Sequence, residues 1–353
     1  MVRPRPGMGL AGVRRFGFPY HRPVRALQRL DELYAIGGGP GANRIGYSAE
    51  EDAAHELARR WLEEAGLEVR VDEAGNLFGG SHPVWAGSHL DTVPQGGKFD
   101  GALGVVAAIE AVERAGRGSV VVFRDEERGC SGSRALAERG RLPEAFLEVH
   151  VEQGPRLANA GAPLGIVTGV VGVSRGTIVV EGRAGHAGTT PMELRDDALV
   201  KAAELMLRMR DVARSIDGAV VTVGELEVEP GAVNVIPSRV TMSVDARAPT
   251  GEACASLVEQ LGFEPTYRTE PAQMDAELRD VLRAELEARD LPVLELTSGA
   301  GHDAAVLAAA GIPSAMLFVR SLNGGVSHSP DELSSPEDVE LAIDVLAGAL
   351  RRL

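Results

Sequence analysis

Residues 119 to 123, Ser-Val-Val-Val-Phe, form an unbroken apolar run that stops abruptly at Arg124-Asp125-Glu126-Glu127. A β-branched run with no polar alternation suits a strand covered on both faces, so it predicts a buried parallel strand. A second such run, Ala145 to Val151, ends within the segment HVEQGP. Helical patterns separate these runs, and polar residues collect where the strands stop. That alternation defines a doubly wound α/β sheet with its site at the carboxyl edge.

The chain has 353 residues, more than one core usually serves, so two domains are expected. From residue 23 a helical pattern runs to glycines 37 to 39. Ser48 with Glu51 then predicts a capping box opening a helix that ends at Gly66. Period-two alternation over LEVRVDEAGNLFGG predicts a hairpin. From residue 172 the texture changes to β-α-β-β-α-β, the ferredoxin-like split pattern, with single strands expected over 219–230 and 234–249. After Pro271 the α/β texture returns, with helices near 275–289, 302–310 and 336–352 and a strand at PSAMLFV. The expected organisation is a catalytic α/β domain over 23–171 and 269–353, interrupted by an inserted α+β lid domain over 172–268. The Arg-rich, Pro-broken residues 1–22 are expected to be a poorly ordered leader from a start codon assigned too early.

The chemistry-bearing residues gather around GSHLDTVPQGGKFDGALG, residues 87 to 104. His89 and Asp91 follow the apolar Val84, Trp85 and Ala86. Two residues apart on extended chain, they share a face, so the carboxylate can hold one imidazole nitrogen and free the other for a metal. Asp100 stands before a helical run and between Phe99 and Gly101. Glu126-Glu127, His150 and Gln153 also fall at strand ends, and His328 lies in a Gly-rich loop. Singly, each has a plainer reading: a chance HxD, a helix cap, a charged turn, a hydrogen-bonded histidine. Together they make the ligand set that two metals sharing one carboxylate need.

In this order the segments GSHLDTVPQGGKFDGALG, DEERG, HVEQGP, GHAGTTPM, NVIPSRVTMSVDAR, SGAGHDA and SHSPDE resemble the M20-type dinuclear metallohydrolases. More narrowly they resemble the amidase branch holding N-carbamoyl-L-amino acid hydrolases, allantoate amidohydrolases and β-ureidopropionases. The resemblance implies two divalent metal ions per subunit, bridged by Asp100, with His89 and His150 at one position and Glu127 and His328 at the other. It implies Asp91 orienting His89, and Glu126 as general base. It further implies His186 polarising the substrate carbonyl from a partner subunit, Asn234 and Arg247 gripping the substrate carboxylate, and Gln153 meeting the ureido group. The implied activity is cleavage of the carbamoyl group from an N-carbamoyl amino acid or close ureido analogue.

The sequence departs from that branch at Val173, where glutamine is common, and at Gly185, where asparagine is common. The stretch over 128–131 is also shortened and lacks an Arg-Phe pair. These changes lie nearer the substrate than the metals and leave the choice of ureido acid open. Competing readings are allantoate hydrolysis, an M20 peptidase or aminoacylase cleaving a true amide, and a metal-stabilised binding protein without activity. Zinc, manganese, cobalt and nickel all suit mixed His/carboxylate ligands. The net charge of −15 argues against nucleic acid and anionic membrane as partners. Two cysteines fit a cytoplasmic protein, and the family resemblance implies a homodimer through the lid.

Overall fold

The computed structural model describes residues 23–139 and 142–353, so the leader expected over 1–22 lies outside the described residues. Helices α1 (Pro23–Tyr34) and α2 (Ala49–Glu64) precede the hairpin β1 (Val69–Val71) and β2 (Leu77–Gly79). Next come β3 (Val84–His89), α3 (Ala102–Ala115), β4 (Ser119–Phe123), α4 (Ser131–Arg139), β5 (Ala145–Val151), α5 (Arg156–Ala160) and β6 (Leu164–Val170). A second set holds β7 (Gly172–Glu181), β8 (Gly185–His186), α6 (Ala198–Ser215), β9 (Val220–Thr222) and β10 (Leu226–Glu229). It continues with β11 (Val235–Ile236), β12 (Arg239–Ala248), α7 (Gly251–Leu261) and β13 (Pro265–Thr269). The remaining elements are β14 (Ala272–Gln273), α8 (Ala276–Glu287), β15 (Glu295–Ser298), α9 (Asp303–Ala309), β16 (Ser314–Val319) and α10 (Pro336–Arg352).

The first and last sets share a nine-stranded sheet, ordered β1-β2-β4-β3-β5-β16-β6-β14, with β15 paired to β6. Its centre, β4-β3-β5-β16, is parallel. Successive side chains of each central strand go to opposite faces. Val120 and Val122 join a core with α1, α3 and α10, while Val121 and Phe123 join another with α4 and α9. Fully burying each such side chain contributes about 1.5–3 kcal/mol. The sheet is therefore doubly wound, as its apolar runs predict.

The middle set forms a separate antiparallel sheet, β10-β12-β7-β13, with β9 also on β12. Its strand order and two helices reproduce the ferredoxin-like pattern. α6 and α7 cover one face through Met209, Cys254, Leu257 and Leu261. The other face carries Arg175, Asp245 and Arg247, which are partly exposed.

Two expectations need correction, and two strands were not expected. The strand expected over 219–230 is two strands, β9 and β10, both lying along β12. Between them the Ser243 hydroxyl accepts the Glu225 N–H, a local detour that period-two alternation does not reveal. The strand expected over 234–249 also breaks, at Pro237, which has no N–H to continue a ladder. Its first part, β11, pairs with β8 instead. Finally, β6 and β15 had no sequence expectation, and β6 runs antiparallel to β16, so the large sheet is mixed. Among the described residues, no helix is long and apolar enough to cross a membrane.

Candidate metal centre

Five sequence-predicted residues converge beyond the carboxyl ends of β3, β4 and β5. His89 ends β3, His150 lies on β5, and Glu127 follows β4. Asp100 stands at their centre. Its Oδ1 is 3.2 Å from His150 Nε2 and 3.9 Å from His89 Nε2. Its Oδ2 is 3.3 Å from His328 Nε2, which in turn is 3.4 Å from Glu127 Oε2. Besides Glu148/His150/His302, the described residues hold two three-residue groups of possible metal ligands, His89/Asp100/His150 and Asp100/Glu127/His328. Asp100 belongs to both, one oxygen to each.

Local backbone devices bring these groups together. Gly101 starts α3 with φ +61°, and a Cβ there would lie 2.4 Å from the His89 ring, so a larger residue would push the two apart. Glu332 accepts the N–H groups of Phe99 and Asp100 at 2.7 and 3.0 Å, and also the Ser327 hydroxyl at 2.8 Å. One buried carboxylate thus joins the Asp100 turn to the His328 loop.

Asp91 plays the same part for the other half. One carboxylate oxygen lies 3.2 Å from His89 Nδ1, and its two oxygens accept the N–H groups of Glu126 and Glu127, each at 3.0 Å. The expected pairing with His89 is present, and the hold on the Glu126-Glu127 backbone adds to it. Glu51 supports the neighbouring residue by accepting the Asp125 N–H at 3.0 Å. In the expected capping box the Ser48 hydroxyl does accept the Glu51 N–H. The Glu51 carboxylate, however, is buried and reaches Tyr47 N and Asp125 N rather than the N-cap amide.

The donor chemistry fits metal ions. His89 Nε2, His150 Nε2 and Glu127 Oε1 are buried without a hydrogen-bond partner, and the two imidazole nitrogens face the same carboxylate. Buried polar atoms are rarely left unpaired, and a cation at each group would satisfy them. The electrostatics agree. Burial alone would raise Asp100, but the adjacent His150 and His328 imidazoles hold it well below the usual carboxylate range. Burial, with the Asp100 charge beside it, lifts Glu127 to about 7. The contact with Asp100 raises His328 to about 9 against the effect of burial.

Glu126 belongs to neither ligand group. Its Oε2 is 3.7 Å from His89 Nε2, and the Cys130 thiol points at its Oε1 from 3.7 Å. Burial, then the charges of Asp303, Glu127 and Asp91, push it well above its ordinary value, with His89 opposing. A buried carboxyl with a raised pKa beside the ligands suits proton transfer.

Gln153 donates to Asp100 Oδ2 at 3.0 Å, and its Oε1 is left unpaired. These groups open into a cleft of about 960 Å³ that Arg247 and Val173 also line. The Arg247 guanidinium forks onto Asp245 at 2.7 and 3.0 Å and donates to Gly299 O at 2.7 Å. His186 and Asn234 sit elsewhere. Both are exposed, His186 on β8 and Asn234 just before β11, where its carbonyl accepts the Ala187 N–H, and neither lines this cleft.

Sequence reasoning missed Glu148, His302 and Asp303. Glu148 lies on the same face of β5 as His150, accepts the Ser88 hydroxyl at 2.8 Å and accepts the Ala304 N–H at 2.9 Å. The His302 ring meets His150 edge-on at 4.5 Å and lies 2.8 Å from the Ser298 hydroxyl through Nε2. Asp303 is fully buried and lifted to about 8 by burial and the Glu148 charge. The E-x-H spacing of Glu148 and His150 has the same form as His89-x-Asp91 and could have drawn notice to the first of them.

The fold and site define a metal-dependent hydrolase built on a doubly wound sheet with a ferredoxin-like insertion. The sequence model of peptidase family M20/M25/M40 matches residues 85–352, and the chain belongs to that family. It is 37% identical to an N-carbamoyl-L-amino acid amidohydrolase of Geobacillus stearothermophilus, over 91% of this chain and 96% of that one. It is 31% identical to an allantoate amidohydrolase of Bacillus subtilis (strain 168), over 91% and 94%. A crystal structure of an amidase of the hydantoinase/carbamoylase family from Burkholderia multivorans superposes with a TM-score of 0.84 at 28% identity, covering 94% of this chain and 97% of that one.

Proposed function

We propose that this chain is a metal-dependent amidohydrolase that cleaves the carbamoyl C–N bond of an N-carbamoyl-L-amino acid or a related ureido acid. The observation that carries this reading is the division of Asp100 between two ligand groups, with Glu126 beside them but outside both. The similarity to carbamoyl and allantoate hydrolases supports the substrate class.

His89, Asp100 and His150 would hold one divalent cation, and Asp100, Glu127 and His328 the other. Zinc, manganese, cobalt or nickel suits those donors. When bound, such a pair supplies Lewis acidity that polarises the carbamoyl carbonyl and brings the acidity of water toward ~7. Asp91 keeps the His89 Nδ1 proton in place and Nε2 free. Glu126 takes a proton from the attacking water and returns it to the leaving nitrogen. One water adds across the C–N bond, and the products are the amino acid, carbon dioxide and ammonia.

Arg247 would grip the substrate α-carboxylate, the guanidinium exchanging part of its fork onto Asp245 for the substrate, and Asn234, which adjoins His186 away from this cleft, would join it from a second copy of the chain. Gln153, at the cleft floor, meets the ureido group. His186 donates to the developing oxyanion from a second copy of the chain. That role agrees with its exposure and its distance from the cleft within one chain. Residues 172–268 then serve as lid and dimer contact, and 23–171 with 269–353 as catalytic domain, a division supported by the two separate sheets. We place the enzyme in the cytoplasm, in keeping with two unpaired cysteines.

The test is ammonia release by the metal-loaded protein from N-carbamoyl-L-methionine, allantoate and β-ureidopropionate. N-acetyl-methionine and a dipeptide run alongside, scored by free amino acid. Ammonia from at least one ureido acid is expected. Free amino acid from the acyl or peptidyl compounds alone would assign the chain to the peptidase side of its family.

A further inference from the structure

We infer that the cleft holds a second anion-binding position, built on Arg175, and that the preferred ureido acid carries a carboxylate on its side chain. The inference rests on the ureido-acid reading above and adds the chemistry of the side chain. Arg175 on β7 stands directly opposite Asp245 on β12, and Arg247 lies two residues further along β12, opposite Val173. All three share the face of the small sheet that α6 and α7 leave uncovered. Diagonal neighbours on one face of an antiparallel pair are roughly 7–8 Å apart, which brings the two guanidiniums within reach of one small dianion.

The charges at this spot do not balance. Asp245 serves both arginines: its Oδ1 takes Arg247 Nε at 2.7 Å, and its Oδ2 takes Arg247 Nη2 at 3.0 Å and Arg175 Nε at 2.8 Å. Two cations thus share one anion. Arg247 uses its remaining Nη on Gly299 O, whereas no described residue accepts from either Nη of Arg175. The Arg175 side chain is 52% exposed, against the Tyr267 ring, and lines the cleft. A half-exposed ion pair contributes little by itself, so a substrate carboxylate can take up the free edge without breaking a strong bond.

The surroundings favour the same ligand. Five arginines line the cleft, Arg128, Arg134 and Arg268 besides these two; Arg128 pairs with Asp125 and Arg268 with Glu270, whereas Arg175 and Arg247 have one aspartate between them. A cleft of about 960 Å³ is at the upper end of the range for drug-sized ligands, so it has room for a side chain beyond the ureido and α-carboxylate groups. Val173 fits this arrangement. An apolar residue opposite Arg247 offers no competing acceptor, which leaves both arginines to the ligand. The competing feature is an apolar wall, Val170, Val171 and Val306, suited to an aliphatic side chain.

The test compares kcat/KM for ammonia release from N-carbamoyl-L-aspartate and N-carbamoyl-L-glutamate with that from their amide isosteres and from N-carbamoyl-L-methionine, using the metal-loaded full chain at low salt. At least one acid should exceed its amide by tenfold or more. Arg175→Gln should bring that ratio toward one, and Arg175→Lys, which keeps the charge and loses the fork, should retain part of it. A merely structural role for Arg175 would lower every substrate together and leave the ratio alone. Equal or faster turnover of the amides or of the methionine compound overturns the inference while leaving the ureido reading intact. An unchanged ratio in Arg175→Gln does the same. Ammonia from none of the ureido acids overturns both.

Discussion

Glu126→Gln is expected to lower ammonia release by about 100- to 10,000-fold, the span that one positioned general acid–base group contributes, while the bound metal content stays unchanged. Glutamine keeps the shape of the side chain and removes only its ability to carry a proton. The backbone position does not depend on that side chain, since Asp91 holds the Glu126 N–H and Glu51 the N–H before it. Loss of metal with the substitution would make Glu126 a ligand rather than the proton carrier. Undiminished turnover would remove it from the chemistry. If the wild type itself showed binding but no turnover, the chain would be a metal-stabilised binding protein, and the buried carboxyl beside His89 would have no catalytic use.

Asp100→Ala is expected to be more damaging, abolishing measurable turnover and weakening both metal positions, each by about 100-fold or more. Removing an outer partner of a metal ligand typically costs 10–100-fold in affinity, and Asp100 would be a ligand shared by both positions. The substitution also leaves three imidazoles facing one another without their common anion. Metal content by elemental analysis and ammonia release should fall together. Retention of one tightly held metal per chain would mean that the two groups are independent and that Asp100 does not bridge them.

The parts of this site that were legible in the sequence are those with short-range geometry. His89 and Asp91 are one strand repeat apart, Asp100 precedes a helix, and Glu126 and Glu127 leave a strand. His328 stood out in the sequence as a loop histidine, but its pairing with Glu127 was legible only through family resemblance, because no spacing relates residues 201 positions apart; the ion pair itself belongs to the folded chain. The supports were hidden for the same reason. Glu332 reaches Asp100 across 232 positions and Glu51 reaches Asp125 across 74. In sequence Glu51 looks like the second half of a helix cap, and only burial turns its carboxylate toward the Asp125 amide. β6 was missed because its Leu-Gly-Ile-Val-Thr-Gly-Val run carries two glycines and lies at the join between the two textures. β9 and β10 looked continuous because a detour between strands leaves the alternation on both sides intact.

The most direct test of the paired centre is to remove metal with a chelator and titrate the protein with Mn²⁺, following bound metal and ammonia release from the best ureido acid together. Activity should be absent at the start, rise with occupancy and level off at two ions per chain. Full turnover in the chelated protein, or a plateau at one ion, would contradict a centre shared through Asp100.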